Sequence, residues 1–207
     1  MTRRLGVLIS GRGSNLQAIL ASIARRELDA RVGVVISNEP DAPGLAHARE
    51  AGVIVEVVNH RGFRTRAEYD AALVDRLRHH DVGLVCLAGF MRLLGPVFVN
   101  AFPHAILNVH PSLLPAFPGL DAQGQALAYG VKVTGCTVHL VTEELDGGPI
   151  VLQAAVPVLP DDTSESLAAR ILVEEHRLYP AAIALVLAGG WRIDGRRFLS
   201  TAPAVPH

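Results

Sequence analysis

Compact apolar runs alternate along the chain with segments of helical periodicity. Residues 5–9 form a short apolar run closed by Ser10-Gly11-Arg12-Gly13, the pattern of a buried strand and a tight turn. Leu16, Ile19, Leu20 and Ile23 then recur at helical spacing. Ser14, with Gln17 three residues on, has the form of a capping box and predicts a helix start near Ser14. Strands are predicted over 32–37, 53–58 and 82–88, with helices over 42–51 and 66–79 between them. Such alternation, with nearly continuous apolar strands, predicts a mostly parallel sheet with helices on both faces.

The second half reads differently. Another apolar strand, 105–109, is followed by Pro111-Ser112-Leu113-Leu114-Pro115-Ala116-Phe117-Pro118-Gly119. Three prolines exclude a long helix or a central strand there and predict a stiff loop. A short helix is expected over 121–129. Strands 133–141 and 150–158 flank a turn-rich stretch, 142–148, and suggest an antiparallel pair. Asp162 followed by Glu165 opens a last helix that runs to 187, with Pro180 bending or splitting it. Beyond Gly189 a peripheral strand and frayed terminal residues are expected. No repeat or linker interrupts the chain, so the reading is one α/β domain over 1–188 with a tail over 189–207.

Composition narrows the function. The chain has 207 residues, 50% hydrophobic and 19% charged, which excludes intrinsic disorder. Its 19 basic and 20 acidic residues leave a net charge of −1, with Lys132 the single lysine. That balance argues against an electrostatic clamp on nucleic acid. No stretch reaches membrane-spanning length, and the first apolar run is too short for a signal-peptide core. Cys86 and Cys136 sit in apolar and alternating runs and read as reduced thiols, so a cytoplasmic location is expected.

Three constellations could carry chemistry. In Ser10-Gly11-Arg12-Gly13-Ser14-Asn15, glycines permit close approach of backbone to a ligand, and a helix start offers free N–H groups to a phosphate. The third glycine of a dinucleotide fingerprint is missing, and so is the Gly-Lys-Ser/Thr of a P-loop. An ordinary strand-to-helix turn gives the same pattern. Asn108-Val109-His110 puts an amide and an imidazole on one face of a strand end, where they could stabilise an oxyanion and move a proton. A strand-end pair that merely satisfies loop backbone has the same spacing. The proline-rich loop favours the functional reading, because it would hold the pair at the carboxyl edge of the sheet.

Asp146-Gly147-Gly148 is either a plain turn or an Asp held beside His110, where a carboxylate would orient the imidazole and favour its cationic form. His79 and His80 are expected at a helix end, and His47, His60, His104 and His207 at the surface. No spacing suits a zinc set, so no metal is expected. Gly89 to Leu94 offers an apolar wall with one guanidinium, suited to a flat aromatic ligand that carries carboxylates.

Five segments occur in order: residues 10–19 (SGRGSNLQAI), 87–92 (LAGFMR), 108–115 (NVHPSLLP), 135–139 (GCTVH) and 144–150 (ELDGGPI). Together they closely resemble the phosphoribosylglycinamide formyltransferases, the folate-dependent transformylases of purine synthesis. The resemblance covers roughly residues 4–188. It implies a Rossmann-like fold, 10-formyltetrahydrofolate as co-substrate and glycinamide ribonucleotide as acceptor. It implies that Gly13, Ser14 and Asn15 bind the ribose phosphate and that Glu175 contacts the glycinamide. Arg66, Met91, Arg92, Leu93, Leu94 and Asn108 would line the folate site, with Thr142, Glu143, Glu144, Leu145 and Asp146 as the loop around the pterin. Asn108, His110 and Asp146 would be the catalytic set.

Leu172, Ala116 and Gln123 depart from better-known members at peripheral substrate contacts. Members are monomers or homodimers. Two other 10-formyltetrahydrofolate enzymes share the N-x-H-P-S-L-L-P element, a methionyl-tRNA formyltransferase and a formyltetrahydrofolate hydrolase. The first would be expected to add a C-terminal domain, the second an N-terminal regulatory one. A non-catalytic dinucleotide-binding module is the reading from a different class, and the missing third glycine speaks against it.

Overall fold

The computed structural model describes residues 3–201. The terminal residues read as frayed, 202–207, lie outside them, as does His207. The chain divides into two compact units, residues 1–108 and 109–207. The boundary falls inside a strand and has no linker composition.

In the first unit β1 (Arg4–Ile9), β2 (Arg31–Ser37), β3 (Val55–Val57), β4 (Leu84–Leu87) and β5 (Ile106–His110) are parallel, in the order β3-β2-β1-β4-β5. The apolar runs make the strands for the expected reason: Leu5, Val7, Leu8, Ile9 and the whole of β4 are buried. Helices α1 (Ser14–Ala24), α2 (Gly44–Glu50), α3 (Arg66–His79) and α4 (Pro96–Val99) intervene. Thr65 caps α3 by accepting from the Glu68 N–H. Strand order reverses between β1 and β4, and ligands of open α/β sheets bind beyond the carboxyl ends of strands at such a switch point.

In the second unit α5 (Ala122–Tyr129) leads to β6 (Val133–Leu140) and β7 (Ile150–Pro157), which pair antiparallel. The long helix α6 (Ser164–Ala188) packs along both strands. Its buried stripe, Leu167, Ile171, Glu175, Leu178, Ala182, Ile183 and Val186, follows helical spacing.

Three expectations need correction. The Ser14–Gln17 capping box does not form: Gly13, in the left-handed region at φ 73°, is the N-cap, and Ser14 is already helical. The box that caps α6 is Thr163 with Ser166, whereas Asp162 accepts from Ser166, Arg170 and the Leu159 N–H. Of the two outcomes expected at Pro180, splitting is not the one found: α6 runs through it as one helix of 25 residues. The single strand expected after Gly189 is a hairpin of β8 (Trp191–Asp194) and β9 (Arg197–Ser200), turned at Gly195-Arg196 with Gly195 at φ 60°.

Candidate active site

Two places concentrate polar groups, one in each unit. In the first unit the turn after β1 packs backbone against backbone. A Cβ at Gly13 would lie 2.7 Å from the Gly44 Cα, and one at Gly44 would lie 2.9 Å from the Gly13 Cα. The Gly44 N–H donates to the Gly11 carbonyl at 3.0 Å. Only glycine on both sides lets the start of α2 lie against this turn. The turn presents the N-terminal end of α1, with Ser14 half-buried and Asn15 buried. Gly44 has no motif of its own in the sequence.

Beside this turn, at the carboxyl end of β4, the Met91 N–H donates to Ser10 Oγ at 2.7 Å, and the Ser10 N–H to the Gly89 carbonyl at 3.1 Å. The structure thus brings the phosphate-turn candidates and the segment Met91–Leu94 to the same switch point. Met91, Arg92 and Leu93 are exposed and Leu94 is half-buried. Arg66, the first residue of α3, is exposed. One turn on, Asp70 is fully buried, and burial pushes its carboxyl above the ordinary range against the pull of the Gly95 N–H and Arg66.

In the second unit His110, at the end of β5, has its side chain 7% exposed. Its Nε2 lies 2.9 Å from the Phe117 carbonyl oxygen, and its Nδ1 lies 3.5 Å from Asp146 Oδ2. A carbonyl can only accept, so Nε2 carries a hydrogen. The other ring nitrogen then faces the carboxylate. Asp146 Oδ2 also accepts from the Gly119 N–H at 2.8 Å, and Oδ1 lies 3.7 Å from His139 Nε2. Asp146 sits at φ 49°, a conformation Asp tolerates better than most residues. Gly148 makes the turn possible, because a Cβ there would collide with the Leu140 carbonyl oxygen.

The proline-rich loop that carries the Phe117 carbonyl and the Gly119 N–H is fastened from three sides. Thr137 Oγ1 donates to the Ser112 carbonyl at 2.7 Å and accepts from the Leu114 N–H at 3.0 Å and Gln153 Nε2 at 2.9 Å. Gln153 Nε2 also donates to the Leu114 carbonyl, and Gln125 Nε2 to the carbonyls of Pro118 and Leu120. The expected stiff loop therefore holds His110 through its own backbone.

His139 was not among the sequence candidates, and burial lowers its pKa below the ordinary histidine value. It lies in β6, which is buried from Thr134 to Leu140, where a polar ring needs partners. Of the 142–146 loop, only Asp146 turns inward: Thr142 is half-buried, and Glu143, Glu144 and Leu145 are exposed. Glu144 pairs with Arg196 of the β8–β9 turn at 3.0 Å. Glu175 is buried on α6. Burial, with the charge of Glu175, pushes the Cys136 thiol up to about 12, which keeps that thiol protonated. Asn108 is half-buried, two residues before His110 on β5. His104 is exposed as expected, whereas His47 and His60 are partly buried and hydrogen-bonded to Gln17 and Asn38. Among the described residues no group of three or more His, Cys, Asp or Glu is arranged to hold a metal ion. No described helix is long and apolar enough to cross a membrane.

An α/β chain with a strand-end imidazole on a turn carboxylate matches the formyl transferase family over residues 3–183, and the chain belongs to that family. It is 44% identical over 190 residues to the phosphoribosylglycinamide formyltransferase of Escherichia coli (strain K12), covering 92% of this chain and 87% of that protein. The corresponding protein of Haemophilus influenzae is 40% identical over 204 residues, with 99% and 96% covered. The human trifunctional purine biosynthetic protein adenosine-3 is 47% identical over 186 residues, covering 90% of this chain but only 18% of that protein. The chain thus spans less than a fifth of that trifunctional relative. Among solved structures, glycinamide ribonucleotide transformylase 1 from Symbiobacterium toebii matches with a TM-score of 0.94 and 57% identity, over 95% of this chain and 93% of that one.

Proposed function

We propose that the chain transfers the formyl group of 10-formyltetrahydrofolate to the amine of glycinamide ribonucleotide, in purine biosynthesis. The observation that carries this is the His110–Asp146 contact with the Phe117 carbonyl on the other side of the ring. The amine nitrogen attacks the formyl carbon on N10. Asn108 and the imidazolium of His110 stabilise the developing oxyanion. As the carbon–N10 bond breaks, the proton leaving the amine is relayed through water to N10, with Asp146 holding His110 charged and oriented. The amine is itself the nucleophile, so binding supplies proximity and no covalent enzyme intermediate is needed.

Gly13, Ser14 and Asn15 hold the phosphate, and Glu175 meets the glycinamide end. Arg66, Met91, Arg92, Leu93 and Leu94 take the folate, together with the loop from Thr142 to Asp146. The family match over residues 3–183 supports reading 1–188 as one formyltransferase domain. The co-substrate is a folate and no metal takes part. The enzyme works in the cytoplasm as a monomer or homodimer, on small molecules alone.

Steady-state kinetics of Asn108→Ala, His110→Ala and Asp146→Asn tests the assignment. Each is expected to lower turnover by about a hundredfold or more, the size of a lost oxyanion donor. Near-normal turnover in all three would sink it. Deformylation of the folate without the ribonucleotide would favour a hydrolase instead, and formylation of a charged initiator tRNA the tRNA-directed enzyme.

A further inference from the structure

From Gly89 to Gly95 the chain has no helix or strand, yet side chains from other elements pin both ends of this stretch. At its start Ser10 Oγ accepts from the Met91 N–H at 2.7 Å and donates to Asn38 Oδ1 at 2.5 Å. At its end Asp70 Oδ2 accepts from the Gly95 N–H at 2.7 Å. Between the pins, Met91 is 66% and Leu93 58% exposed. Ordering an irregular backbone costs conformational entropy, and holding apolar side chains out in water recovers none of it. A surface fixed in this way is preorganised for a ligand with an apolar face.

Asp70 is the costly member. Its side chain is fully buried, and Oδ1 has no hydrogen-bond partner among the described residues. A buried carboxylate destabilises the fold unless its contacts offset desolvation. Here the offset comes from the hydrogen bond donated by the Gly95 N–H and from the electrostatic pull of Arg66 one helical turn earlier. The fit is close: a Cβ at Gly95 would lie 2.9 Å from Asp70 Oδ2 and 3.3 Å from Arg66 Cδ.

We propose that Asp70 is a positioning residue for the folate: through the Gly95 N–H and Arg66 it sets where Met91–Leu94 stands against the flat ring of the co-substrate. This rests on reading Arg66 and Met91–Leu94 as folate contacts. Asp70 is buried and acts through the segment, not on the reacting atoms. Ser10 differs, because it belongs to the phosphate turn as well and couples that turn to the same segment.

The two anchors therefore have different signatures. Asp70→Ala is expected to raise the KM for 10-formyltetrahydrofolate about tenfold or more, the size of one lost charge-assisted hydrogen bond. The KM for glycinamide ribonucleotide and kcat stay within about twofold, since no contact to the amine substrate is touched. Asp70→Asn keeps an acceptor for Gly95 and recovers most of the folate affinity. Ser10→Ala raises both KM values. Gly95→Ala, which presses a methyl group onto Asp70, reproduces the folate-only effect should Asp70→Ala fail to fold. Equal movement of both KM values in Asp70→Ala, or no recovery in Asp70→Asn, would overturn the role. Direct titration with tetrahydrofolate separates the two layers. Wild-type protein that binds no folate overturns both the reading and the role, whereas equal folate affinity in wild type and Asp70→Ala overturns the role alone.

Discussion

Asp146 shows how much of a candidate catalytic residue is conformation. At φ 49° it occupies a region that Asp and Asn enter more readily than other side chains, and its carboxylate collects the Gly119 N–H and approaches two imidazoles. Asp146→Asn keeps the shape and the tolerance for that backbone and removes only the charge. Turnover should fall about a hundredfold or more with little change in the thermal midpoint, a split that separates chemistry from folding in one variant. Gly44 is the opposite case, a residue whose value is the absence of a side chain. A methyl group there would meet the Gly13 Cα at 2.9 Å and the Gly11 carbonyl oxygen at 3.0 Å, both backbone atoms that cannot swing aside. Gly44→Ala should therefore shift the phosphate turn and raise the KM for the ribonucleotide by about tenfold, in line with small displacements of positioning groups. A ribonucleotide KM unchanged in steady-state assays would show that the turn tolerates the shift. The Asn-x-His and Asp-Gly-Gly elements were legible in the sequence because each is a local pattern with a chemical meaning. Gly44 and His139 were not, because their importance comes from partners distant in the chain.

Elements were legible wherever hydrophobic period and length agreed, as in α3, whose expected bounds are those observed. Capping was read less well. Ser14 and Gln17 have the spacing of a capping box, but left-handed Gly13 enters the helix one residue earlier and makes the box unnecessary. At α6 the acidic signal was real and its role was misassigned. Asp162 collects Arg170, Ser166 and the Leu159 N–H, and the cap itself is Thr163 with Ser166. The hydrogen bonds from Arg170 hold the Asp162 carboxyl well below the usual carboxylate range. The sign follows from proton binding: the unfolded chain takes up this proton more readily than the folded one. The contribution is therefore complete above the ordinary carboxylate pKa of about 4 and is lost as pH falls below it. Thermal midpoints measured from pH 7 to pH 3 should fall toward acid in the wild type and less steeply in Asp162→Asn. The proline loop depends on a hydroxyl that no pattern announces. Thr137→Val leaves the Leu114 N–H without its partner, at a cost of about 1–3 kcal/mol read by urea unfolding. The same change should lower kcat, since that loop carries the Phe117 carbonyl beside His110.

At the scale of the whole chain, the candidate ligand residues are spread over two compact units. The division at residue 108 lies within β5, where no shift in composition marks it, so a reading by linkers gives one continuous domain. The phosphate-turn candidates fall in the first unit, the His110–Asp146 pair in the second, and the folate candidates in both. That distribution yields a prediction for the two ligands taken separately. Bound phosphate should accept from the N–H groups at the start of α1, where the helix aims backbone donors and the positive end of its dipole. Amide exchange at Ser14, Asn15 and Leu16 should therefore slow when glycinamide ribonucleotide alone is added. Tetrahydrofolate alone should instead protect 91–95 in the first unit and 142–146 in the second. A ligand at a hundred times its Kd adds about 2.7 kcal/mol to stability by mass action, which slows exchange throughout regions that open only by global unfolding. The diagnostic signal is thus protection beyond that general gain, confined to these amides and different for the two ligands. Uniform protection by both would mean that the ligands stabilise the fold without contacting these groups, and the phosphate and folate assignments would fail together.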